Sequence, residues 1–287
     1  MDTITLWAPA KINLTLAVTG KRSDGYHTLV SVMQAVDLCD RVTVTRRAQP
    51  GIALTLSDPN LPADERNTAW RAAEVFARET GCSAGVEIYV EKRIPQQAGM
   101  AGGSADAAGV LCALNRLAGE PCTVDELCRM GAQIGADVPF CVRGGCALAE
   151  GIGERLTPLA GLPDCTLVVV KPPVGVSTAE AYRRVDAAAG AGVPDVAAMQ
   201  RALAAGDLSG VGQALGNVFE SAMALPEVAA IRAAMAAYQP LGSLMTGSGS
   251  AVFALFEDES AAALCAAALG EQGQVYLCHP TPAGPQE

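Results

Sequence analysis

Apolar and polar residues alternate along the first twenty positions. Ile4, Leu6 and Ala8, then Ile12, Leu14, Leu16 and Val18, recur at every second residue, the period of a strand with one buried face. Pro9, between the two sets, predicts a break into two strands. Lys11 and Asn13 fall on the opposite face, either as ordinary solvated residues or as a polar pair beside the break. Strands are also predicted at Arg41 to Arg46, Ile52 to Leu56 and Val86 to Glu91. Elsewhere the period is helical. Ala69, Ala72, Ala73, Phe76 and Ala77 share one face of a helix opened by Asn67, and Ala107, Val110, Leu111, Leu114 and Leu117 share one face of a second. A third helix is predicted from Thr123 to Ile134, with Thr123 and Glu126 spaced as a capping box; Gly135 stops it and Pro139 prevents its continuation. Val138 to Val142 then reads as an apolar strand. Asp137 stands in the turn before it, as a cap or as a partly buried acid.

The pattern restarts after Pro158. Cys165 to Lys171 is a continuous apolar run, followed by a helix at Thr178 to Val185, helices within Val196 to Met223 and at Pro226 to Ala237, strands at Ser243 to Thr246 and Ala251 to Phe256, a helix at Ala261 to Leu269 and a strand at Gln274 to Cys278. Apart from the extra helices, that order is β-α-β-β-α-β, the split βαβ arrangement. The reading is therefore an α+β fold of two domains, 1–160 and 161–287, divided near Leu159 to Pro163. The Pro/Gly-rich tail from His279 to Glu287 is expected to fray.

Composition narrows the function. With 287 residues, half of them hydrophobic but only 4% aromatic, the cores must be built mainly of Ala, Val, Leu and Ile. A formal charge of −10 argues against nucleic acid and anionic membrane surfaces as partners, so any bound phosphate must be held by a local site. Ten scattered cysteines with no C-x-x-C, and only two histidines, read as reduced buried thiols rather than a metal cluster. No targeting segment or 18-residue apolar run is visible, and a soluble cytoplasmic protein is expected.

Three stretches remain to carry chemistry. Gly99, Gly102 and Gly103 lie directly before the second helix, where free N–H groups and the positive end of the dipole suit a phosphate; the same glycines also suit a plain turn. No lysine follows Gly103, and no G-x-G-x-x-G follows a strand, which excludes the P-loop and the dinucleotide fingerprint. Tyr26 and His27 follow the Asp24-Gly25 turn and form either a recognition pair for a planar ligand or a bare surface loop. M-T-G-S-G-S-A, residues 245 to 251, reads as a tight glycine hairpin with outward-facing N–H and hydroxyl groups.

Together A-K-I-N-L at 10 to 14, D-G-Y-H at 24 to 27, I-P-Q-Q-A-G-M-A-G-G-S-A-D-A-A at 94 to 108, G-A-D-V-P-F at 135 to 140 and M-T-G-S-G-S-A-V-F at 245 to 253 resemble the GHMP kinase superfamily over nearly the whole chain. A-K-I-N-L with D-G-Y-H makes the likeness strongest to the branch acting on cytidine-diphosphate-linked methylerythritol in non-mevalonate isoprenoid synthesis. The resemblance implies a small-molecule kinase that uses ATP and Mg²⁺ to phosphorylate the C2 hydroxyl, with an amino-terminal α+β domain and a ferredoxin-like carboxy-terminal one. It implies Lys11 and Asp137 as the catalytic pair, and Asn13, Tyr26, His27 and Tyr182 at the substrate. Tyr182 is otherwise a core residue of a helix face. For ATP it implies Asn67, Lys92 and the loop Pro95, Gln96, Gln97, Ala98, Gly99, Met100, Ala101, Gly102, Gly103, Ser104 and Ala105. The metal ligands stay unassigned, and a monomer or weak homodimer is expected. Gln97, Ala101 and Ala105 depart from the commonest pattern of the loop, and Asp106 is expected to complement the helix dipole. A GHMP kinase for homoserine or mevalonate, or a nucleotide-binding module without catalysis, would also keep the glycine loop.

Overall fold

The computed structural model describes residues 2–82, 85–187 and 193–287. In chain order, the first part holds β1 (Thr3–Lys21), β2 (His27–Arg47), β3 (Ile52–Leu56), α1 (Thr68–Thr80), β4 (Gly85–Glu91), α2 (Gly102–Leu117), α3 (Val124–Ala132), α4 (Val138–Arg143), β5 (Cys146–Gly151) and β6 (Arg155–Pro158). The second holds β7 (Thr166–Lys171), α5 (Thr178–Ala187), α6 (Val196–Ala205), α7 (Leu208–Ala214), β8 (Gly216–Asn217), α8 (Val218–Met223), α9 (Pro226–Ala236), β9 (Gly242–Met245), β10 (Val252–Phe256), α10 (Glu259–Ala268) and β11 (Gln274–Cys278).

Two sheets organise these elements. The larger runs β3-β4-β2-β1-β8, with β5 on the early half of β2 and β6 beyond it; the smaller is β11-β7-β10-β9, antiparallel throughout, the order of a split βαβ unit. β7 shows why its sequence is apolar without alternation. Val168 and Val170 enter a core with α5, α8, α9 and α10, whereas Leu167 and Val169 enter the core that also holds β1, α1 and α2. Both faces are buried, so neither can be polar. The same core takes Met199 and Leu203 of α6 and Val211 of α7, and β8 pairs with β1, so the later part of the chain builds onto the first sheet.

Three expectations are corrected, and one stretch of sheet is added. Pro9 does not end a strand: β1 continues through it, and the ladder slips instead, Pro9 opposite Cys39 and Ala10 opposite Val36. A proline breaks only the pairing its missing N–H would make, and the slip absorbs it by bulging β2 at Asp37 and Leu38. The early half of β2, with β5 and β6, was not foreseen. Val32 and Val36 lie in the main core while Met33 and Ala35 pack with Phe140 and Ala147 behind the sheet, which erases period two. Val138 to Val142 is the helix α4 and not a strand, because Pro139 sits in its first turn, where no N–H is needed, and all five residues are buried. The tail does not fray. Residues 280–286 bridge the bulge and the start of β1, with Gln286 exchanging backbone hydrogen bonds with Trp7, Thr281 N–H donating to Ala35, and Gly284 and Pro285 buried.

Candidate active site

A glycine loop needs something to hold its shape, and here the support comes from two sides. Lys11 N–H donates to the Met100 carbonyl, and the Lys11 ammonium donates to the Gly99 carbonyl at 2.8 Å, so β1 clamps the loop from below. From the other side, Ser250 and Ala251 N–H donate to the carbonyls of Gln97 and Ala98. The hairpin between β9 and β10 therefore turns its N–H groups onto the loop. Gly99 has φ +75° and lies so close to the hairpin that a β-carbon there would stand 2.1 Å from the Thr246 carbonyl oxygen. Only glycine fits. Among the described residues the N–H groups of Gly102 and Gly103, at the start of α2, have no protein acceptor, and Ala101 before them makes no side-chain cap. Those are donors for an anion at the positive helix end.

Lys11 is almost fully buried and donates to Asn13 Oδ1 at 2.6 Å. Its Nζ lies 3.7 Å from Asp137 Oδ2, a carboxylate about one third exposed at the mouth of α4. Asn13 is fixed in turn: its amide donates to Ser31 Oγ at 2.8 Å and its backbone N–H to Thr246 Oγ1 at 3.0 Å. Alternation along β1 sends Ile12 and Leu14 into the main core and leaves Lys11 and Asn13 on the side of the cleft. Asp137 caps nothing with its side chain. It is the partly buried acid.

One cleft of about 960 Å³ collects nearly all of the predicted residues. Lys11, Asn13, Tyr26, His27, Asn67, Lys92, Pro95 through Ser104, Asp137 and Tyr182 line it, whereas Ala105 is fully buried on the inner face of α2 and does not. At one end, His27 and Tyr182 stack with ring centroids 4.6 Å apart, and Phe219 meets Tyr182 edge-on at 4.9 Å. Tyr182 is thus both a packed and a cleft residue, its phenol pushed up to about 12 by burial and by the Asp137 charge. Tyr26 is 62% exposed and joins no aromatic pair among the described residues. His27 Nε2 lies 2.6 Å from Asp186 Oδ1, whose other oxygen takes the Lys21 ammonium at 2.6 Å.

At the far end Asn67 opens α1, accepting from Ala69 N–H and donating to the Pro62 carbonyl, which leaves one amide N–H free. Lys92 lies under the loop in a buried triad, paired to Asp106 Oδ2 at 2.6 Å and to Asp40. Asp106 is therefore no dipole cap. Two carboxylates share one ammonium, and the spare negative charge has no water to stabilise it. Asp40 is held by the N–H groups of Arg93 and Ile94, whereas Asp106 Oδ1 has no partner among the described residues. Burial drives the Asp106 carboxyl up to about 8 despite the Lys92 charge. Sequence reading missed Asp40, Asp186 and Thr246, since each acts across a long separation. Two traces were left: Thr246 stands within the M-T-G-S-G-S-A hairpin motif, and Asp186 follows Tyr182 at a spacing of four, one helix turn.

The profile of the GHMP kinases N terminal domain matches residues 67–145, and that of the GHMP kinases C terminal matches residues 199–275. A 4-diphosphocytidyl-2-C-methyl-D-erythritol kinase of Exiguobacterium sibiricum is 47% identical over 262 residues, 91% of either chain. One of Desulfitobacterium hafniense is 45% identical, over 96% of this chain and 95% of its own. A crystal structure of 4-(cytidine 5'-diphospho)-2C-methyl-D-erythritol kinase, 37% identical, superposes with a TM-score of 0.80 over 96% of this chain and 99% of its own. A homoserine kinase from Cytophaga hutchinsonii superposes as well, at 0.81, but is 23% identical and shares the fold alone. With loop, clamp and fold all in place, the chain belongs to the GHMP kinase family.

Proposed function

We propose that this chain transfers the γ-phosphoryl group of ATP to the C2 hydroxyl of 4-diphosphocytidyl-2-C-methyl-D-erythritol. One observation carries the reading: the Lys11–Asp137 pair lies in the same cleft as the His27–Tyr182 aromatic stack, and the glycine loop lines that cleft too. A GHMP kinase for homoserine or mevalonate needs the loop and an acid but has no use for a base-binding end. The relatives named above, at 45% and 47% identity, support the same substrate.

In this reading the free N–H groups of Gly102 and Gly103 hold the triphosphate at the head of α2, and Asn67 and Lys92 bound the adenine side. Asp137 accepts the hydroxyl proton as the alcohol oxygen closes on the γ-phosphorus and ADP leaves. Lys11, fixed by Asn13 and Gly99, lies beside the developing alkoxide and offsets its charge. Tyr26, His27 and Tyr182 hold the cytosine, and Asn13 lies by the methylerythritol. Mg²⁺ would neutralise the β- and γ-phosphates when bound with the nucleotide. Such an ion keeps phosphate and water ligands and takes few from protein. The Ser104 hydroxyl, which lines the cleft, fits that need, and among the described residues no cluster of His, Cys, Asp or Glu would hold a metal without the nucleotide.

No helix among the described residues is long and apolar enough to cross a membrane, and all ten cysteines are free; a reducing cytoplasm suits them. The test is ADP formation with the cytidine substrate set against homoserine and mevalonate. Turnover should require the cytidine compound, and Asp137→Ala should lower kcat by about 10²–10⁴-fold while binding of the cytidine compound stays measurable. Faster turnover of either simple alcohol would overturn the substrate, and near-normal kcat in the variant would overturn the acid–base role.

A further inference from the structure

Resting on that reading, the aromatic end of the cleft holds a device that nothing in the reaction itself requires. Asp186 lies on α5 one turn beyond Tyr182, so a single helix supplies both the ring that stacks on His27 and the carboxylate that meets its edge. The carboxylate is charged in both of its contacts, to Lys21 from the end of β1 and to His27 from the start of β2, and these two partners hold its acid form well below the usual range. A carboxylate only accepts. His27 Nε2, 2.6 Å away, must therefore carry a proton, and of the two neutral tautomers this is the one with a lone pair on Nδ1. Nδ1 has no protein partner among the described residues, and His27 lines the cleft.

We infer that Asp186 is a specificity-determining residue, which fixes the Nε2–H tautomer of His27 so that Nδ1 presents an acceptor to the nucleobase and selects cytosine over uracil. The two bases differ at one exocyclic position: cytosine offers an amino donor there and uracil a carbonyl acceptor. An acceptor in the protein gains a hydrogen bond from the first and faces a lone pair of the second. Sites that pair a buried polar group with a substrate donor reject the analogue lacking it far more strongly than apolar pockets distinguish shapes.

The experiment compares kcat/KM for the cytidine substrate and for its uridine counterpart, in the parent and in Asp186→Asn and Lys21→Met. Asparagine keeps the shape but can also donate, so the tautomer is no longer imposed; the cytidine-to-uridine ratio should fall by at least about tenfold. Lys21→Met removes the ion pair and leaves the carboxylate on His27, and should keep the ratio. A residue that merely braces the helix would lower both substrates alike, and an unchanged ratio in Asp186→Asn overturns the inference. Nitrogen-15 NMR of the His27 ring in the free protein gives a readout independent of turnover. The parent should show Nε2–H and Asp186→Asn a mixture; a parent ring protonated at Nδ1 overturns the inference even if the substrate assignment stands. Failure of the parent to use the cytidine compound, with Nε2–H observed, would sink the substrate assignment instead.

Discussion

At the scale of single residues, the site divides into groups that a short motif announces and groups that only folding brings together. Lys11, Asp137 and His27 each sit in a local pattern, and the cleft collects them. Asp40 and Asp106 are 66 positions apart in the sequence of charges around Lys92 only in number; in space both touch its ammonium. That triad makes a stability prediction. Burial pushes the Asp106 carboxyl up to about 8 in the folded protein, far above the value of about 3.9 of an unfolded aspartate. Between those values the folded chain binds the extra proton, so stability falls as pH rises through the window. Asp106→Asn keeps an oxygen for Lys92 and cannot ionise, so it should lack that loss. Thermal melts at pH 5.5 and 8.5 check it: the variant should gain on the parent at the higher pH, and an equal difference at both would mean that Asp106 carries no such proton. Nothing in the sequence announces this, because a buried acid and a helix-capping acid look alike until the lysine arrives from just beyond the end of β4.

At the scale of elements, the glycine loop and the hairpin of residues 246–251 form one unit made from distant parts of the chain. The loop was legible from its glycines; its left-handed residues were not. Gln97 and Ala101, which depart from the commonest pattern, have φ +50° and +60°, a region that costs a side-chain-bearing residue about 1 kcal/mol. Gly99 shares that region but also has the Thr246 carbonyl in the way of any β-carbon. The two positions should therefore part company on substitution. Ala101→Gly relieves strain and should change stability by less than about 1 kcal/mol. Gly99→Ala must push the hairpin off the loop, losing the Ser250 and Ala251 hydrogen bonds, and should raise the KM for ATP as well as lower Tm. A Gly99→Ala enzyme with unchanged KM would show that the hairpin does not shape the phosphate site. Secondary structure failed to read through where both faces of an element are covered, as in the early half of β2, and where a proline could as well begin a helix as follow a turn, as in α4.

At the scale of the whole molecule, the tail closes the first sheet over the slip that Pro9 imposes on it. The reading of Pro/Gly-rich residues as frayed weighed only their own propensities; the bulge at Asp37 and Leu38 exposes backbone that the tail then pairs. Asp37 N–H donates to the His279 carbonyl, Asp37 Oδ1 accepts from His279 N–H at 2.7 Å, and Gln286 pairs with Trp7 on the far side of the slip. Gly284 packs against α4, where a β-carbon would stand 2.2 Å from the Val142 carbonyl oxygen. Removing residues 280–287 takes away the Trp7, Ala35 and Val142 contacts. Each lost hydrogen bond is worth about 0.5–1.5 kcal/mol, and the entropy of ordering the segment offsets part of the sum. A net loss of about 1–3 kcal/mol should lower Tm by roughly 2–10 °C in a chain of this size. None of residues 280–287 lines the cleft, so kcat and both KM values at low temperature should match the parent. An unchanged Tm would return the tail to the frayed state its composition suggests, and a fall in kcat without a fall in Tm would mean that the tail holds Asp137 through α4.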